Sequence, residues 1–163
     1  ISVIQYSAPF DTVYTSLWKC FNAASGAILA GPKSFTENLF HERRMFGGGL
    51  PGAWAFAAVA LHFANGFAEE YKQAWQNAET LFSLLQKEER FKITKFENGS
   101  HIVGLDVKNA NAVRFKEALF KKRIELSAPN GNGFLLKVNP SLLRETPQHL
   151  ASRFREALKE SET

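Results

Sequence analysis

The chain has 163 residues, 45% of them hydrophobic and 22% charged, with a formal net charge of +4. This balance is typical of a soluble globular chain with one domain, or with one domain and part of another, and no signal peptide or membrane-spanning run is visible. The single cysteine, Cys20, excludes an intrachain disulfide and suits a reducing, cytoplasmic compartment. Basic residues are spread along the chain with one cluster at Lys121–Arg123, which indicates solvated helix ends rather than a nucleic-acid surface.

The first predicted elements surround one lysine. Residues 1–5 suit either a strand or the end of a helix, and two short apolar runs follow at residues 13–17 and 27–30. Both runs have the composition of parallel strands that are buried on both faces. Lys19 lies between them, with no carboxylate in the interval. Either burial lowers the pKa of its amine and prepares it for a Schiff base, or Lys19 lies at the mouth of a strand and extends into water.

A helix and a run of glycines come next. Ser34 and Glu37 have the spacing of a capping box, which predicts a helix over residues 35–45. Gly47–Gly49 then ends this helix, because three glycines are not stable inside one. The glycines supply positive φ angles or let a partner approach the bare backbone, so the segment is either a flexible connection or a loop that faces a phosphate.

Two further helices are predicted. Residues 53–64 are apolar nearly all round but too few to span a membrane, which indicates a helix buried at a subunit interface or beneath a sheet. On this helix, His62 is interpreted as a packing residue. Gly66 marks a domain boundary, and residues 68–88 repeat apolar side chains at three- and four-residue spacing, as an amphipathic helix does.

The remainder of the chain predicts a small α+β domain with the order β-β-α-β-β-α. The strongest signal is Asn98-Gly99, which favours a hairpin between its two flanking strands. Thr146-Pro147 has the pattern of a helix start. The predicted elements are strands 91–96 and 101–107, a helix from its cap Asn109 to Lys121, strands 124–127 and 134–138, and a final helix from Thr146-Pro147.

Three segments of the first third resemble the threonine aldolase and aromatic β-eliminating lyase family of pyridoxal-phosphate enzymes, which have the aspartate-aminotransferase fold type. The segments are Asp11-Thr-Val-Tyr-Thr-Ser-Leu-Trp-Lys19, Ser25-Gly-Ala-Ile-Leu-Ala-Gly-Pro-Lys33 and Arg43-Arg-Met-Phe-Gly-Gly-Gly49. The resemblance implies an α/β chain in which residues 1–66 end the large cofactor-binding domain and residues 67–163 form the small C-terminal α+β domain. It further implies the C-terminal portion of a longer enzyme, which alone lacks the acid that pairs with the pyridine nitrogen.

The resemblance also implies a set of roles. Lys19 would carry pyridoxal 5'-phosphate as a Schiff base, and Thr15 and Ser16 would offer hydroxyls near the cofactor, although alternation lets only one of the two face it. Lys137 and Arg144 are the candidates for the substrate carboxylate. The implied reaction is retro-aldol cleavage of a β-hydroxy amino acid to glycine and an aldehyde. The implied assembly is a homodimer or homotetramer, without a metal, nucleic acid or membrane partner.

Departures from the family pattern keep other functions open. Leu50-Pro-Gly52 stands where threonine aldolases place a cofactor- or substrate-binding arginine, whose role Arg43 or Arg44 would have to take. The alternatives are β-elimination from an aromatic amino acid, a non-catalytic oligomerisation piece built on the helix over 53–64, and an RNA-binding sheet. The RNA alternative lacks a stacking signature, and a hydrolase built on Cys20 lacks a neighbouring histidine and acid.

Overall fold

The computed structural model of the chain describes residues 2–162, so the first residue of the predicted opening element lies outside the described part. The chain divides into two compact units, Ile1–Phe67 and Ala68–Thr163. Both units contain helices and strands, which gives an α/β chain. Across residues 2–162, no helix is both long and apolar enough to cross a membrane.

The first unit begins with a short helix and a hairpin. Helix α1 (Val3–Ser7) begins with a capping box between Ser2 and Gln5. Strands β1 (Val13–Ser16) and β2 (Ala27–Ala30) follow at the predicted positions. The prediction that these strands are buried in a parallel sheet is wrong. They pair antiparallel with each other, and none of their residues is buried. The intervening segment folds back on itself, because the Leu17 amide donates to the Gly26 carbonyl and so brings the two runs side by side.

The single helix predicted over residues 35–45 is two helices, α2 (Lys33–Thr36) and α3 (Leu39–Met45). The predicted capping box of Ser34 is also wrong. Pro32 is the N-cap, and its carbonyl accepts from the amides of Phe35 and Thr36. Ser34 is therefore already inside the first turn, where its hydroxyl cannot cap, and within residues 2–162 no side chain caps α2.

The glycine run ends α3 in a Schellman motif. The amide of Gly47, at φ 73°, donates to the Arg44 carbonyl, and the Gly48 amide donates to the Arg43 carbonyl at 2.7 Å. These two bonds satisfy carbonyls that a helix end leaves without a partner. The predicted positive φ is therefore found at Gly47, whereas the backbone that Gly48 approaches is that of Arg43 in its own helix.

Replacing Gly48 by alanine is expected to destabilise the first unit. An added Cβ would lie 2.6 Å from Arg43 Cγ and 2.8 Å from the Arg43 carbonyl oxygen, and such overpacking costs about 1–3 kcal/mol. Gly49→Ala is the matched control, because within the described residues nothing lies within 4 Å of its Cβ position. Chemical unfolding of both variants measures the difference, and equal unfolding free energies would contradict the motif.

Helix α4 (Ala53–Ala64) has the predicted bounds, and no sheet formed by residues 2–162 buries it. Of its described residues only Ala60 is buried, whereas Trp54 is 78% exposed and Leu61 is 73% exposed. The first unit is too small to cover a helix that is apolar nearly all round. The imidazole of His62 is exposed and lies edge-on to the ring of Phe63, with 5.1 Å between the ring centroids.

Helix α5 (Phe67–Leu85) confirms the predicted amphipathic helix and crosses from the first unit into the second. Its buried stripe has the predicted spacing. The buried side chains are Ala74, Ala78, Leu81, Phe82 and Leu85.

The second unit contains one antiparallel sheet, β3-β4-β5, formed by strands Phe91–Lys95, Ile102–Val107 and Gly133–Lys137. The predicted hairpin at Asn98-Gly99 joins β3 to β4. The strand predicted over Ile124–Ser127 is absent from the described chain, and only a bridge between Asn130 and Gly133 forms nearby. Leu126 packs into the core instead, and a cavity separates the segment from β5.

Helices α6 (Ala112–Lys121) and α7 (Pro147–Glu160) complete the second unit, with a short 3₁₀ helix at Pro140–Leu143. The predicted cap of α6 was Asn109, but Asn111 is the cap, because its side-chain oxygen accepts from the amides of Val113 and Arg114. Thr146 caps α7 as predicted, through a hydrogen bond from the His149 amide.

The core of the second unit is built around Phe115 of α6, which has no exposed surface. Its ring centroid lies 5.9 Å from that of Phe91, 5.7 Å from that of Phe134 and 6.2 Å from that of Phe154. These rings belong to β3, β5 and α7. One side chain therefore joins the sheet to both helices.

Ion pairs of Arg90 join the segment after α5 to the segment after α7. Arg90 donates to Glu88 at 2.8 Å and also pairs with Glu162. The hydrogen bond from Arg90 holds the pKa of Glu88 below its ordinary value. A carboxyl with a lowered folded pKa stabilises the protein above its unfolded pKa, and this stabilisation is lost as the pH falls through the folded value.

We therefore expect the unfolding free energy to fall on acidification below the ordinary carboxyl pKa, and Glu88→Gln to make that fall shallower. Glu89→Gln is the matched control, because Glu89 is exposed and makes no ion pair among the described residues. Urea titrations at a series of acidic pH values measure both slopes. Equal slopes of unfolding free energy against pH for the two variants would show that the Glu88–Arg90 pair does not contribute to the pH dependence.

Candidate functional site

The hairpin of β1 and β2 positions Lys19 in the turn between its strands. The turn is held by the hydrogen bond from the Leu17 amide to the Gly26 carbonyl and by another from the Ala23 amide to the Leu17 carbonyl. Lys19 is exposed, with its Nζ 5.8 Å from the centroid of the Trp18 ring. Of the two alternatives for Lys19, the structure has the one in which the side chain extends into water, because a hairpin turn projects its residues away from the strands.

Ser16 is the last residue of β1 and carries an unusual hydroxyl. Its Oγ is buried, and it has no hydrogen-bond partner within residues 2–162. A buried hydroxyl without a partner is costly, so the position suits a ligand atom that accepts its hydrogen bond. Thr15 is exposed and, by strand alternation, points to the opposite face. The structure therefore separates the two predicted hydroxyls.

The hairpin fits pyridoxal phosphate in two respects. The exposed amine of Lys19 is accessible to a carbonyl carbon, and the hydroxyl of Ser16 needs an acceptor of the kind that a phosphate or phenolate oxygen provides. Both groups belong to the same short segment. The donor set is therefore compatible with a bound pyridoxal phosphate.

Arg43 and Arg44 follow the hairpin on α3. Both are exposed, and the guanidinium carbon of each lies 5.6 Å from the centroid of the Phe40 ring. In the described part of the chain neither forms an ion pair with a carboxylate. Both therefore keep their charge free for an anion.

The predicted carboxylate ligands lie together in the second unit. Lys137 and Arg144 are both exposed and line one cavity of about 670 Å³. The cavity contains a third cation that the sequence prediction did not use, Arg123. This residue follows α6 in the left-handed region, at φ 61°. Its membership of the Lys121–Arg123 cluster was visible in the sequence but gave no sign of a cavity.

Among the described residues, no group of three or more histidine, cysteine, aspartate or glutamate side chains is placed to hold a metal ion.

Comparison with known proteins gives relatives in sequence and in fold. No family model matches the chain. The low-specificity L-threonine aldolase of Candida albicans is 34% identical over 62 residues, which are 38% of this chain and 17% of that enzyme. The chain therefore matches only a small part of this curated relative.

Solved structures match over nearly the whole chain. A candidate L-allo-threonine aldolase from Listeria monocytogenes superposes with a TM-score of 0.72 at 22% identity, over 98% of this chain and 47% of that one. A candidate aromatic amino acid β-eliminating lyase/threonine aldolase from Exiguobacterium sp. 255-15 gives 0.72 at 19%, over 98% and 48%. The 8-amino-7-oxononanoate synthase of Francisella tularensis gives 0.65 at 20%, over 91% and 45%. The chain spans about half the length of these structures and shares their fold.

Proposed function

We propose that this chain is part of a pyridoxal-phosphate-dependent amino-acid lyase. The premise is that the chain resembles the threonine aldolase and aromatic amino acid β-eliminating lyase family. The reaction we assign to the full-length protein is cleavage of the Cα–Cβ bond of a β-hydroxy amino acid to glycine and an aldehyde. The observation that carries the proposal is the exposed amine of Lys19 in the same hairpin as the partnerless hydroxyl of Ser16.

Each residue of the hairpin has a defined task in this proposal. Lys19 binds the carbonyl carbon of the cofactor through Nζ, and its amine holds or releases a proton near the substrate Cα. Ser16 donates a hydrogen bond from its buried Oγ to an anionic oxygen of the cofactor. Pyridoxal phosphate, when bound, accepts the electron pair that remains when a bond at Cα breaks. The hairpin therefore orients the cofactor and transfers a proton near the substrate Cα.

The cavity of the second unit supplies the carboxylate site of the proposal. Lys137 and Arg144 line it, and within residues 2–162 neither makes an ion pair. An unpaired guanidinium offers a fork of donors that matches a carboxylate, and an ammonium adds a second charge. In this proposal Arg144 binds the substrate carboxylate, and Lys137 assists it.

Other parts of the proposed protein lie beyond what this chain offers. The chain spans about half of its structural neighbours, and we propose that the remaining pyridine and phosphate contacts come from residues outside it. We also propose assembly as a homodimer or homotetramer. The first unit has apolar surface to bury in an interface, including Trp54 and Leu61 of α4.

Two alternatives are favoured by separate observations. One of the matched structures carries β-eliminating lyase in its name, and that reaction on an aromatic amino acid would use the same lysine. The exposed apolar surface of α4 favours a non-catalytic oligomerisation piece. Product analysis separates the first alternative from aldol cleavage, because β-elimination releases ammonia and a keto acid, whereas aldol cleavage releases glycine.

The experiment that tests the proposal is addition of pyridoxal phosphate to the full-length protein, borohydride reduction and peptide mapping. The expected result is one labelled lysine, Lys19, together with formation of glycine from β-hydroxy amino acids. Labels scattered over surface lysines, or no label, would overturn the assignment and leave the oligomerisation alternative.

A further inference from the structure

The outer edge of β5 carries backbone amides that point away from the sheet. Strand β5 is last in the order β3-β4-β5, so within residues 2–162 no strand pairs with this edge. The Val138 amide donates to the His101 carbonyl. Because the hydrogen-bonding direction alternates along a strand, every second residue before Val138 also pairs with β4. Leu135 and Lys137 lie between those residues, and their amides therefore point to the open edge.

The first pair of a further hairpin has already formed at the start of β5. Asn130 and Gly133 exchange two backbone hydrogen bonds, at 2.9 and 3.0 Å, around a two-residue turn in which Gly131 has φ 58°. A turn of fixed length determines the register of the strands that it joins. Any residue a given number of places before Asn130 would therefore face the residue the same number of places after Gly133.

The register that this turn sets conflicts with the apolar pattern of residues 124–127. It would place Leu126 opposite Lys137, on the exposed face of the sheet. It would also place Glu125 opposite Val138, which packs in the core without exposed surface. The core needs the reverse, because Leu126 is buried and Glu125 is exposed. A shift of one residue exchanges the two faces of a strand, so the segment is one residue out of register with β5.

Pro129 favours the register of the turn over the register that would suit the core. In the first register Pro129 lies opposite Phe134, between hydrogen-bonded pairs, where a strand residue needs no amide. In the second it would lie opposite Gly133, at a hydrogen-bonded position. Because proline has no N–H, the Gly133 carbonyl would then lack its donor. The turn and the proline thus both oppose the pairing that would satisfy the core.

We infer that residues 124–128 are a strand held off β5 by this one-residue mismatch, and that the mismatch keeps the neighbouring cavity open. The cavity has a volume of about 670 Å³ and is lined by residues 123–127 on one side and residues 135–139 on the other. In the matched register, Leu126 would lie opposite Leu136 and the added strand would occupy the space between the two segments. The length of one turn therefore determines whether the sheet has three strands beside a cavity or four strands without it. Both arrangements lie within the second unit and do not involve Lys19.

Deletion of Asn132 from the full chain tests this inference by amide hydrogen exchange, followed by NMR. The shorter loop makes Asn130-Gly131 the two-residue turn, which is a preferred hairpin sequence, and shifts the register by one residue. The amides of Leu135 and Lys137 are expected to exchange at least about tenfold more slowly than in the unaltered chain, because a strand hydrogen bond must open before exchange.

A control and a second variant separate register from general damage. Asn132→Gly keeps the length of the loop and should leave both amides in fast exchange. The triple variant Glu125→Leu, Leu126→Thr and Ser127→Val keeps the turn and changes the apolar pattern to match it, so it should slow the same two amides. Slow exchange at the β4 residues Val103 and Leu105, which pair with β5, reports that the sheet is intact.

Three outcomes would overturn the inference. The first is slow exchange of Leu135 and Lys137 in the unaltered chain, because the strand would then already be paired. The second is fast exchange of both amides in the deletion variant and in the triple variant while β4 stays protected. The third is unfolding of the second unit in both variants, since a pairing that satisfies the core should stabilise the sheet. If only the deletion variant unfolds, the triple variant decides.

Discussion

Lys19→Ala is expected to abolish covalent attachment of pyridoxal phosphate in the full-length protein and to reduce lyase activity by at least about a thousandfold. Removal of a residue that binds the cofactor covalently eliminates a whole reaction path, and such losses are commonly of several orders of magnitude. The visible absorbance of the bound cofactor and the rate of glycine release from a β-hydroxy amino acid are the two measurements. Both should be lost together.

The matched control for Lys19 is Lys33→Ala. The side chain of Lys33 is 85% exposed and belongs to α2, where it pairs only loosely with Glu37 at 3.9 Å. Surface pairs of this kind contribute little, so this variant should keep its absorbance and activity. Full absorbance and activity in Lys19→Ala would refute the assignment of Lys19, whereas loss in both variants would point to damage of the first unit.

Phe115→Ala is expected to lower the unfolding free energy of the second unit by about 3–5 kcal/mol, which is the usual cost of removing a fully buried phenylalanine. The ring is completely buried and contacts rings of β3, β5 and α7. Loss of the ring therefore opens a cavity where the sheet meets helices α6 and α7. Because small domains are stable by only about 5–15 kcal/mol, this one substitution removes a large part of the total.

Phe120→Ala on the same helix provides the comparison. Phe120 is 64% exposed, and both substitutions put alanine, the best helix former, into α6. Its removal should change the unfolding free energy by less than about 0.5 kcal/mol, as is usual for surface positions. Urea unfolding followed by circular dichroism compares the two. Similar decreases in unfolding free energy for both variants would mean that the phenylalanine cluster does not stabilise the unit.

Elements whose apolar pattern is sustained over many residues, or which begin at a specific turn, could be predicted from the sequence. The apolar stripe of α5 runs from Ala74 to Leu85, the Thr146-Pro147 start defines α7, and Asn98-Gly99 determines the β3–β4 hairpin. Short apolar runs could not be resolved in the same way. Ala27–Ala30 is compatible with a buried parallel strand or an exposed antiparallel one, and only the turn that precedes it decides.

Burial was the weakest part of the sequence prediction, because it depends on what other chain segments cover. Helix α4 was expected beneath a sheet or at a subunit interface and is mostly exposed in this chain, and of the two alternatives for Lys19 the structure has the exposed one. Ile124–Ser127 has the composition of a strand, but Leu126 packs into the core without pairing with a neighbouring strand. Competition between side-chain packing and strand pairing cannot be judged from local composition.

The candidate site was predictable in its residue types and less so in its geometry. Family resemblance pointed to Lys19 and Ser16, but the partnerless state of the Ser16 hydroxyl is visible only in three dimensions. Lys137 and Arg144 were chosen for their position late in the chain, and the fold brings them to one cavity. Arg123 was not chosen, because its left-handed conformation follows from the way α6 ends and not from its neighbours in sequence.

The hairpin of β1 and β2 has a consequence for the solution behaviour of the chain. In the described part of the chain, each strand has a strand partner on one side only, and Tyr14, Ile28 and Leu29 are 65%, 55% and 45% exposed. Open edges with exposed apolar side chains are templates for pairing with other polypeptides. The segment that presents Lys19 thus also presents open strand edges to which a strand of another copy can add.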